Sequence, residues 1–357
     1  MSVEIIQADA LALPLADDSV DLVVTSPPYF GLRSYQDGGE HYDGQIGDEA
    51  TPAEFVDALI AATAEMMRVV KPSGSIFVNL GDKYARTGGG GAGSSDGSVG
   101  RNGGAKRGPR LPAGEPSSGG VPNGSTPPPR PATVATGAPE KSLIGVPWRY
   151  AIRCIDELGL ILRAEIIWSK PNGLPESVTD RVRRSHETWF HFTHYPRYFS
   201  AVDEIREAYT APPAKAQTSK ATLAGAHRNP TTLLDHDLEH NPLGKLPGSV
   251  WTIPTQPLIV PDELGVDHFA AFPMEWPRRI ITGWSPVDGT VLDPFGGTGT
   301  TALVAHALGR HGISVDLSSD YCRLARWRTS DPGEIARAKQ QPKPKPVIVH
   351  KEQEVLW

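Results

Sequence analysis

The stretch VLDPFGGTGTTALVAHALG places a short apolar strand, a glycine loop and a helix in immediate succession. We predict the strand at 290–292 and the helix at 298–308. Glycines at 296, 297 and 299 let the backbone bend tightly and come close to a ligand. The helix that follows offers unpaired N–H groups and the positive end of its dipole. A strand that passes through a short loop into a helix in this way predicts an α/β domain.

The glycine loop matches neither of the two common phosphate-binding motifs in full. From Gly297 the chain reads G-T-G-T-T-A, with Ala302 at the third position of the dinucleotide fingerprint, and the lysine of a P-loop is absent. Asp316 follows about 20 residues after the loop, at the end of the next predicted strand, where a carboxylate can accept hydrogen bonds from ribose hydroxyls. The sequence therefore predicts a ligand that carries a ribose, with no phosphate required.

A second predicted strand ends in a rigid corner. Residues 19–26 are typical of a buried strand, and the prolines at 27 and 28 must stop it, because proline lacks an N–H and has a fixed φ. The corner presents the Ser26 hydroxyl, backbone carbonyls and the Tyr29 ring. Ligands of open α/β sheets bind at the carboxyl ends of the strands. We therefore predict that this corner lies beside the glycine loop and holds a planar, polar group.

The other segments continue the α/β pattern. Further strands are predicted at 3–7, 75–80, 160–170 and 312–316, helices at 51–70, 147–159, 272–283 and 318–328, and a strand pair or a strand with a turn over 186–199. This order predicts a doubly wound, mainly parallel sheet with helices on both faces.

Three segments fall outside that pattern. Residues 87–141 are rich in Gly, Ser and Pro and cannot bury a core, which predicts a disordered insertion, acting either as a solvated linker or as a basic arm that contacts phosphates. Residues 201–250 are polar and rich in histidine, which suits surface loops and a specificity element equally. Residues 331–357 are predicted to form an extended tail.

Composition limits the class of protein. Hydrophobic residues make up 39% and charged residues 21% of the 357 residues, which permits a substantial core. A net charge of -6 means that any contact with nucleic acid must come from local basic patches. The sequence shows no signal peptide and no apolar run long enough for a membrane span, so we expect a cytoplasmic protein with no membrane partner. Cys154 and Cys322 are predicted to be small buried residues on helices.

Together, TSPPY at 25–29 and DPFGGTGTT at 293–301 resemble motifs of the amino-group DNA methyltransferases, which use S-adenosylmethionine (SAM) to methylate an exocyclic base nitrogen. Similar segments extend over 1–82, 143–200 and 248–328, and the motif order resembles the circularly permuted β-type of that family. The resemblance implies a Rossmann-like methyltransferase fold. Its catalytic half would occupy 1–86 and 142–200, its target-recognition region 201–250 and its cofactor-binding half 251–330.

The resemblance also implies the site residues. Ser26, Pro27, Pro28 and Tyr29 would form the catalytic corner. The implied SAM contacts are Asp9 and Ala10 after the first strand, His268, Phe269 and Pro273 in the segment 268–281, Asp293, Pro294, Phe295, Gly297, Gly299 and Thr300 around the glycine loop, and Asp316. No metal and no covalent enzyme intermediate are implied.

The family mechanism follows from the chemistry of the target amine, whose lone pair is delocalised into the base. The resemblance implies that the Ser26 hydroxyl and the Pro27 carbonyl accept hydrogen bonds from the two amine N–H groups. It also implies that Tyr29 stacks on a base extruded from double-stranded DNA. Serine before the two prolines usually accompanies methylation of cytosine N4 in this family, and aspartate or asparagine accompanies adenine N6. We expect cytosine N4, with adenine N6 as the alternative and a separately encoded restriction endonuclease as a possible partner.

Other interpretations of the sequence remain. A nicotinamide-dependent oxidoreductase would explain the glycine loop and a DNA-binding protein without activity would need no catalytic corner, while RNA is a less expected substrate. Arg181, Arg183 and Arg184, interleaved with aromatic residues, predict a strand that contacts the DNA backbone or an amphipathic strand whose arginines reach solvent. His191 and His194 would lie on opposite faces of that strand, so no metal site is expected.

Overall fold

One eight-stranded sheet organises the chain. The computed structural model describes residues 2–31, 36–37, 40–41, 44–85, 137–173, 175–209, 241–265 and 271–342. The strands are β1 (Val3–Gln7), β2 (Val20–Thr25), β3 (Gln36–Asp37), β4 (Glu40–His41), β5 (Val70–Leu80), β6 (Ile161–Ser169), β7 (His186–Thr193), β8 (Val250–Thr252), β9 (Thr290–Asp293) and β10 (His311–Asp316). The α-helices are α1 (Pro52–Val69), α2 (Val146–Asp156), α3 (Glu275–Trp284), α4 (Thr300–Ala307), α5 (Ser319–Ser330) and α6 (Pro332–Ala338).

The sheet is mainly parallel, as predicted. Its strand order is β1-β10-β9-β2-β5-β7-β6-β8, and β3 pairs with β4 in a separate hairpin. Strand β7 runs antiparallel to both β5 and β6, whereas the other neighbouring strands of the large sheet are parallel. The amino end of β7 therefore lies at the same edge as the carboxyl ends of the strands around it.

Helices cover both faces of the sheet, which confirms the predicted doubly wound arrangement. Alternate residues of β2 enter two separate cores, Val23 on one face and Leu22 on the other. Phe55 of α1 and Tyr150 of α2 pack on the first face. Trp276 of α3 and Leu303 of α4 pack on the second. Among the described residues, none of the helices has both the length and the apolar composition needed to cross a bilayer.

Helix α1 begins where its sequence predicts. The Thr51 hydroxyl accepts a hydrogen bond from the Glu54 N–H (3.2 Å), and the Glu54 carboxylate accepts one from the Thr51 N–H (3.0 Å). This capping box satisfies two backbone donors at the start of the helix, and Pro52 needs no donor there. The side chains of Phe55 and Leu59 are buried on the predicted apolar face.

Two predicted boundaries near the chain terminus and the insertion are wrong. The tail was expected to be extended from 331, but 332–338 form α6, because the Asp331 carboxylate accepts a hydrogen bond from the Glu334 N–H (2.8 Å) and caps a new helix. The insertion was expected to reach 141, yet Ala138 is buried and the Lys141 N–H donates to the Ala85 carbonyl (2.8 Å). Residues 86–136, which hold the rest of the predicted insertion, lie outside the described residues.

Candidate active site

The catalytic corner and the glycine loop begin at the ends of neighbouring strands. Strands β2 and β9 pair in parallel, with Leu22 opposite Val291 and Val23 opposite Leu292. The Thr25 hydroxyl at the end of β2 donates to an Asp293 carboxylate oxygen at the end of β9 (2.6 Å). The predicted adjacency of these two segments is therefore confirmed.

The buried carboxylate of Asp293 links the two segments through hydrogen bonds. One carboxylate oxygen accepts hydrogen bonds from Thr25 and from the Phe295 N–H (3.2 Å), and the other accepts one from the Thr301 hydroxyl of α4 (2.8 Å). The side chain is only 1% exposed. Both carboxylate oxygens thus accept hydrogen bonds inside the protein, and the predicted role of Asp293 in binding SAM stays a prediction.

Burial of Asp293 has a consequence for stability. Desolvation raises the pKa of its carboxyl from 3.8 to about 6, against the opposing effect of the two threonine hydroxyls. A carboxyl whose folded pKa is raised stabilises the fold fully below its unfolded pKa and loses that contribution as the pH rises through its folded pKa.

We expect Asp293→Asn to remove this pH dependence. From about pH 4 to about pH 7 the wild-type free energy of unfolding should fall by about 2 kcal/mol relative to that of the variant. Urea unfolding of both proteins across this range would measure the difference. Parallel pH profiles for the two proteins would contradict the raised pKa.

The glycine loop adopts the backbone conformations that its sequence predicts. Gly297 and Gly299 have φ values of 49° and 71°, in the left-handed region that favours glycine. A side chain at Gly296 would collide with the Ser314 hydroxyl of β10. Gly299 is the N-cap of α4 and supplies no side-chain hydrogen bond, so the first turn of α4 presents backbone N–H groups without a side-chain cap.

Two acidic residues lie at the same edge of the sheet. The Asp316 carboxylate, at the end of β10, accepts hydrogen bonds from the N–H groups of Gly297 (2.8 Å) and Ser318 (2.9 Å). Strand β1 lies beside β10 with Gln7 opposite Asp316, which places Asp9 just beyond this edge. Asp9 is exposed, and its carboxylate accepts a hydrogen bond from the Leu11 N–H (2.9 Å).

The remaining residues predicted to contact SAM differ in how far they are buried. Ala10, Pro273 and Pro294 are buried, and Phe295 is half-buried against the core. The Thr300 hydroxyl is directed into the protein interior toward Arg328, and the predicted contact between Thr300 and SAM stays a prediction. His268 and Phe269 lie outside the described residues.

The catalytic corner is held by residues of the next two strands. The Ser26 hydroxyl donates to the Asn79 side-chain carbonyl at the end of β5 (3.3 Å), and the Tyr29 hydroxyl approaches the same oxygen (2.7 Å). The Asn79 amide nitrogen donates to the Thr188 carbonyl (3.2 Å), which fixes the orientation of the amide. Asn79 therefore presents its oxygen to both hydroxyls of the corner.

Tyr29 has a second partner on the reversed strand. Its hydroxyl lies 2.9 Å from the Glu187 carboxylate, which also binds the Lys170 ammonium. The Lys170 ammonium in turn lies over the Trp168 ring. On its other side the Tyr29 ring packs against Gly81, where an added Cβ would come within 2.6 Å of the ring. The Tyr29 ring is thus held by hydrogen bonds at its hydroxyl end, and its edge fits against Gly81 because glycine has no side chain.

Sequence reasoning missed these supporting residues. Asn79 and Gly81 stand at the end of a predicted strand, in VNLGD, where the carboxyl edge of the sheet was already expected to hold the site. Glu187 could not be placed in the same way, because nothing local in the sequence indicates that β7 runs antiparallel to its neighbours.

Comparisons with known proteins show the family of the chain. The model of a DNA methylase family, N6_N4_Mtase, matches residues 20–326. Type II methyltransferase M.SmaI of Serratia marcescens is 32% identical over 329 residues, which cover 92% of this chain and 90% of that protein. Type II methyltransferase M.Cfr9I of Citrobacter freundii is 32% identical over 89% of this chain and 85% of its own length. The chain belongs to the N6/N4 DNA methylase family.

The chain is therefore a SAM-dependent DNA methyltransferase. A solved structure, PvuII DNA methyltransferase (cytosine-N4-specific), shares its fold with a TM-score of 0.58 and 20% sequence identity, covering 95% of this chain and 91% of that one. The described residues of this methyltransferase contain no group of three or more His, Cys, Asp or Glu side chains that could hold a metal ion. The two cysteines, Cys154 and Cys322, are buried on α2 and α5, as predicted.

The three arginines of this methyltransferase do not lie on a strand, contrary to both interpretations of the sequence. Residues 181–184 precede β7 in an irregular segment. Arg181 binds Glu176 (2.7 Å) and stacks on Tyr84, and Arg184 donates to the Asp82 carbonyl. Arg183 is exposed, although one guanidinium nitrogen donates to the Gly173 carbonyl. Backbone carbonyls and a carboxylate hold these arginines in the irregular segment.

Proposed function

We propose that this methyltransferase methylates N4 of a cytosine that is extruded from double-stranded DNA. The observation that carries the proposal is Ser26 before the two prolines, with its hydroxyl proton directed at Asn79. Because that proton is engaged, the lone pairs of the Ser26 oxygen are available to accept a hydrogen bond from an amine. The Pro27 carbonyl is the second acceptor in the corner.

The cleft has the donors and acceptors that SAM requires. Backbone N–H groups at the start of α4 suit the carboxylate of the methionine part, and the Asp316 carboxylate suits the ribose hydroxyls. The open backbone at Gly297 and Gly299 allows the close approach of a ligand. Asp9 lies at the same edge, within the region that the adenosine end would occupy. When bound, SAM supplies a methyl group on a positively charged sulfur.

The corner activates the amine by drawing its nitrogen lone pair out of conjugation with the base. Hydrogen bonds from the two amine N–H groups to the Ser26 oxygen and the Pro27 carbonyl pull the nitrogen toward tetrahedral geometry, which localises its lone pair for attack on the methyl carbon. Asn79 keeps Ser26 in this accepting role, and the prolines hold both acceptors rigid. After transfer the nitrogen carries a positive charge, and its extra proton leaves to solvent.

Tyr29 holds the extruded base in the proposed mechanism. Its hydroxyl is fixed between Asn79 and Glu187, so the ring presents a constant stacking surface next to Ser26. A methyl donor and an amine react only when both are aligned, and a fixed ring restricts the base to that alignment.

The finer assignments belong to the same proposal. Arg183 is the most exposed of the three arginines and is proposed to contact a DNA phosphate, whereas Arg181 and Arg184 shape the segment around it. Residues 201–250 are proposed to read the target sequence; of these, 210–240 lie outside the described residues. The permuted motif order, a cytoplasmic location and a separately encoded restriction endonuclease remain predictions.

The product nucleoside tests the proposal. We expect purified protein, unmethylated plasmid and isotope-labelled SAM to give labelled N4-methylcytidine after digestion of the DNA, measured by mass spectrometry. Labelled N6-methyladenosine would leave the proposed site and the cofactor in place, but it would show that Ser26 does not select cytosine. DNA methylated beforehand by the same enzyme is the control and should take up no label.

A further inference from the structure

A buried ion pair lies directly behind the glycine loop. Arg328 on the last turn of α5 donates through Nε to the Glu334 carboxylate on α6 (3.0 Å). Their side chains are only 4% and 7% exposed. Both residues follow residue 326, where the match to the DNA methylase family ends. The pair therefore lies outside the part of the chain that the family model matches.

The same guanidinium holds both residues that flank Gly299. Arg328 Nη1 donates to the hydroxyls of Thr298 (2.6 Å) and Thr300 (2.7 Å), which lie 3.1 Å from each other. Gly299 packs against Ala325, one turn earlier on α5, where an added Cβ would come within 3.0 Å of the Ala325 side chain. The left-handed turn at Gly299 is thus clamped by hydrogen bonds on each side and by close packing behind it.

Stabilisation of α4 does not explain a cation in this position. Arg328 lies at the amino end of α4, where the helix dipole is positive and a second positive charge is unfavourable. Desolvation lowers the pKa of Arg328, and Glu334 opposes that effect by supplying the compensating charge. The arrangement fixes the geometry of the glycine loop. The planar Arg328 guanidinium joins two loop hydroxyls to the Glu334 carboxylate on α6.

We propose that Arg328 and Glu334 are positioning residues for the glycine loop, so that helix α6 sets the affinity for SAM. This inference rests on the proposed function, because it requires the glycine loop to be the SAM site. Neither residue touches the cleft, and their effect passes through Thr298 and Thr300. Loss of the pair would let the turn at Gly299 relax and misalign the backbone N–H groups at the start of α4.

Calorimetric titration of the intact protein with SAM, in the absence of DNA, tests the proposal. We expect Glu334→Gln and Thr298→Val each to raise the Kd for SAM about tenfold, since each weakens or removes a hydrogen bond of a charged group. Thr298→Ser keeps the hydroxyl and should restore the wild-type Kd. Affinity for DNA should be the same in all variants, which a purely structural defect would not predict.

The matched control is Arg337→Gln. Arg337 binds the other oxygen of Glu334 (3.0 Å) but is 29% exposed, and its ion pair is with Glu334 rather than with the loop, so its loss should leave the Kd for SAM within about twofold of wild type. If Glu334→Gln does not fold, Thr298→Val decides the matter. Folded variants that bind SAM like the wild type, and only melt at a lower temperature, would overturn the proposal.

A variant of Asp316 separates this inference from the function on which it rests. Asp316→Ala is expected to weaken SAM binding, because the proposed function assigns the ribose to that carboxylate. If Asp316→Ala weakens binding and the Glu334 and Thr298 variants do not, the positioning role alone is wrong. If none of these variants changes the Kd, the glycine loop is not the SAM site and both proposals fail.

Discussion

Replacing Ser26 by alanine is expected to lower kcat by about 10²- to 10³-fold, with the Kd for SAM unchanged. The variant loses one of the two acceptors for the amine hydrogens, and it leaves the Asn79 carbonyl with the Tyr29 hydroxyl alone. The amine nitrogen then keeps more of its conjugation with the ring in the transition state. Binding of SAM should be unaffected, because the Ser26 side chain bonds to β5 and not to the glycine loop.

Single-turnover methylation at saturating SAM and DNA would measure this loss in the chemical step. Ser330→Ala is a suitable control, since the Ser330 hydroxyl is exposed on α5 and donates to backbone carbonyls of its own helix. A Ser26→Ala enzyme that turns over within about threefold of wild type would show that the Pro27 carbonyl suffices, and the electrostatic role of Ser26 would then be wrong.

Replacing Gly81 by alanine is expected to lower kcat/KM for DNA by about 100-fold without touching any group that reacts. The added Cβ would come within 2.6 Å of Tyr29 Cε2 and 3.0 Å of Cδ2, closer than carbon atoms approach, so the ring must move. Movement of the ring would break the hydroxyl contacts with Asn79 and Glu187. The base would then lose its stacking surface, since a displacement of about 1 Å near a reaction centre has this scale of effect.

A control and a double variant make the effect of Gly81→Ala interpretable. Ser330→Ala, on the exposed face of α5, lies outside every proposed contact with SAM or DNA and should leave both activity and thermal stability unchanged. If Gly81 acts through the tyrosine, Gly81→Ala should add little to the defect of Tyr29→Ala in the double variant. Full additivity of the two changes would contradict the positioning role of Gly81.

The strands and helices were predictable where hydrophobic pattern and capping agreed. Helix α1 has both an apolar face and a Thr51–Glu54 capping box, and it begins at the predicted residue. Helix α3 begins at Glu275, three residues later than predicted, because the apolar residues before it pack as a loop: Phe272 lies edge-on against Trp189. An apolar run marks burial, and it does not by itself mark a helical backbone.

The two motifs of the site were predictable from the sequence, but the residues that hold those motifs in place were not. Ser26 and Gly297 carry local signals, namely prolines after a strand and glycines before a helix. Glu187 contacts Tyr29, which is 158 residues away in the sequence, and Glu334 belongs to a segment that the sequence predicts as an extended tail. The internal hydrogen bonds of Asp293 and Thr300 were also not predictable from the motif, because the sequence does not show which motif side chains point into the protein.

The backbone contacts around Ala85 join the two ends of the segment between residues 85 and 141, so the length of that segment can vary. The Ala85 N–H donates to the Ser142 carbonyl, the Lys141 N–H donates to the Ala85 carbonyl, and Tyr84 pairs with Leu143, so the chain re-enters the fold beside the place where it left. The entropy of closing a loop grows only slowly with its length, by about 0.6 kcal/mol for each doubling. Evolution can therefore lengthen, shorten or replace the segment between these fixed ends without moving Asn79 or Gly81, and an engineer has the same freedom to attach a second domain there.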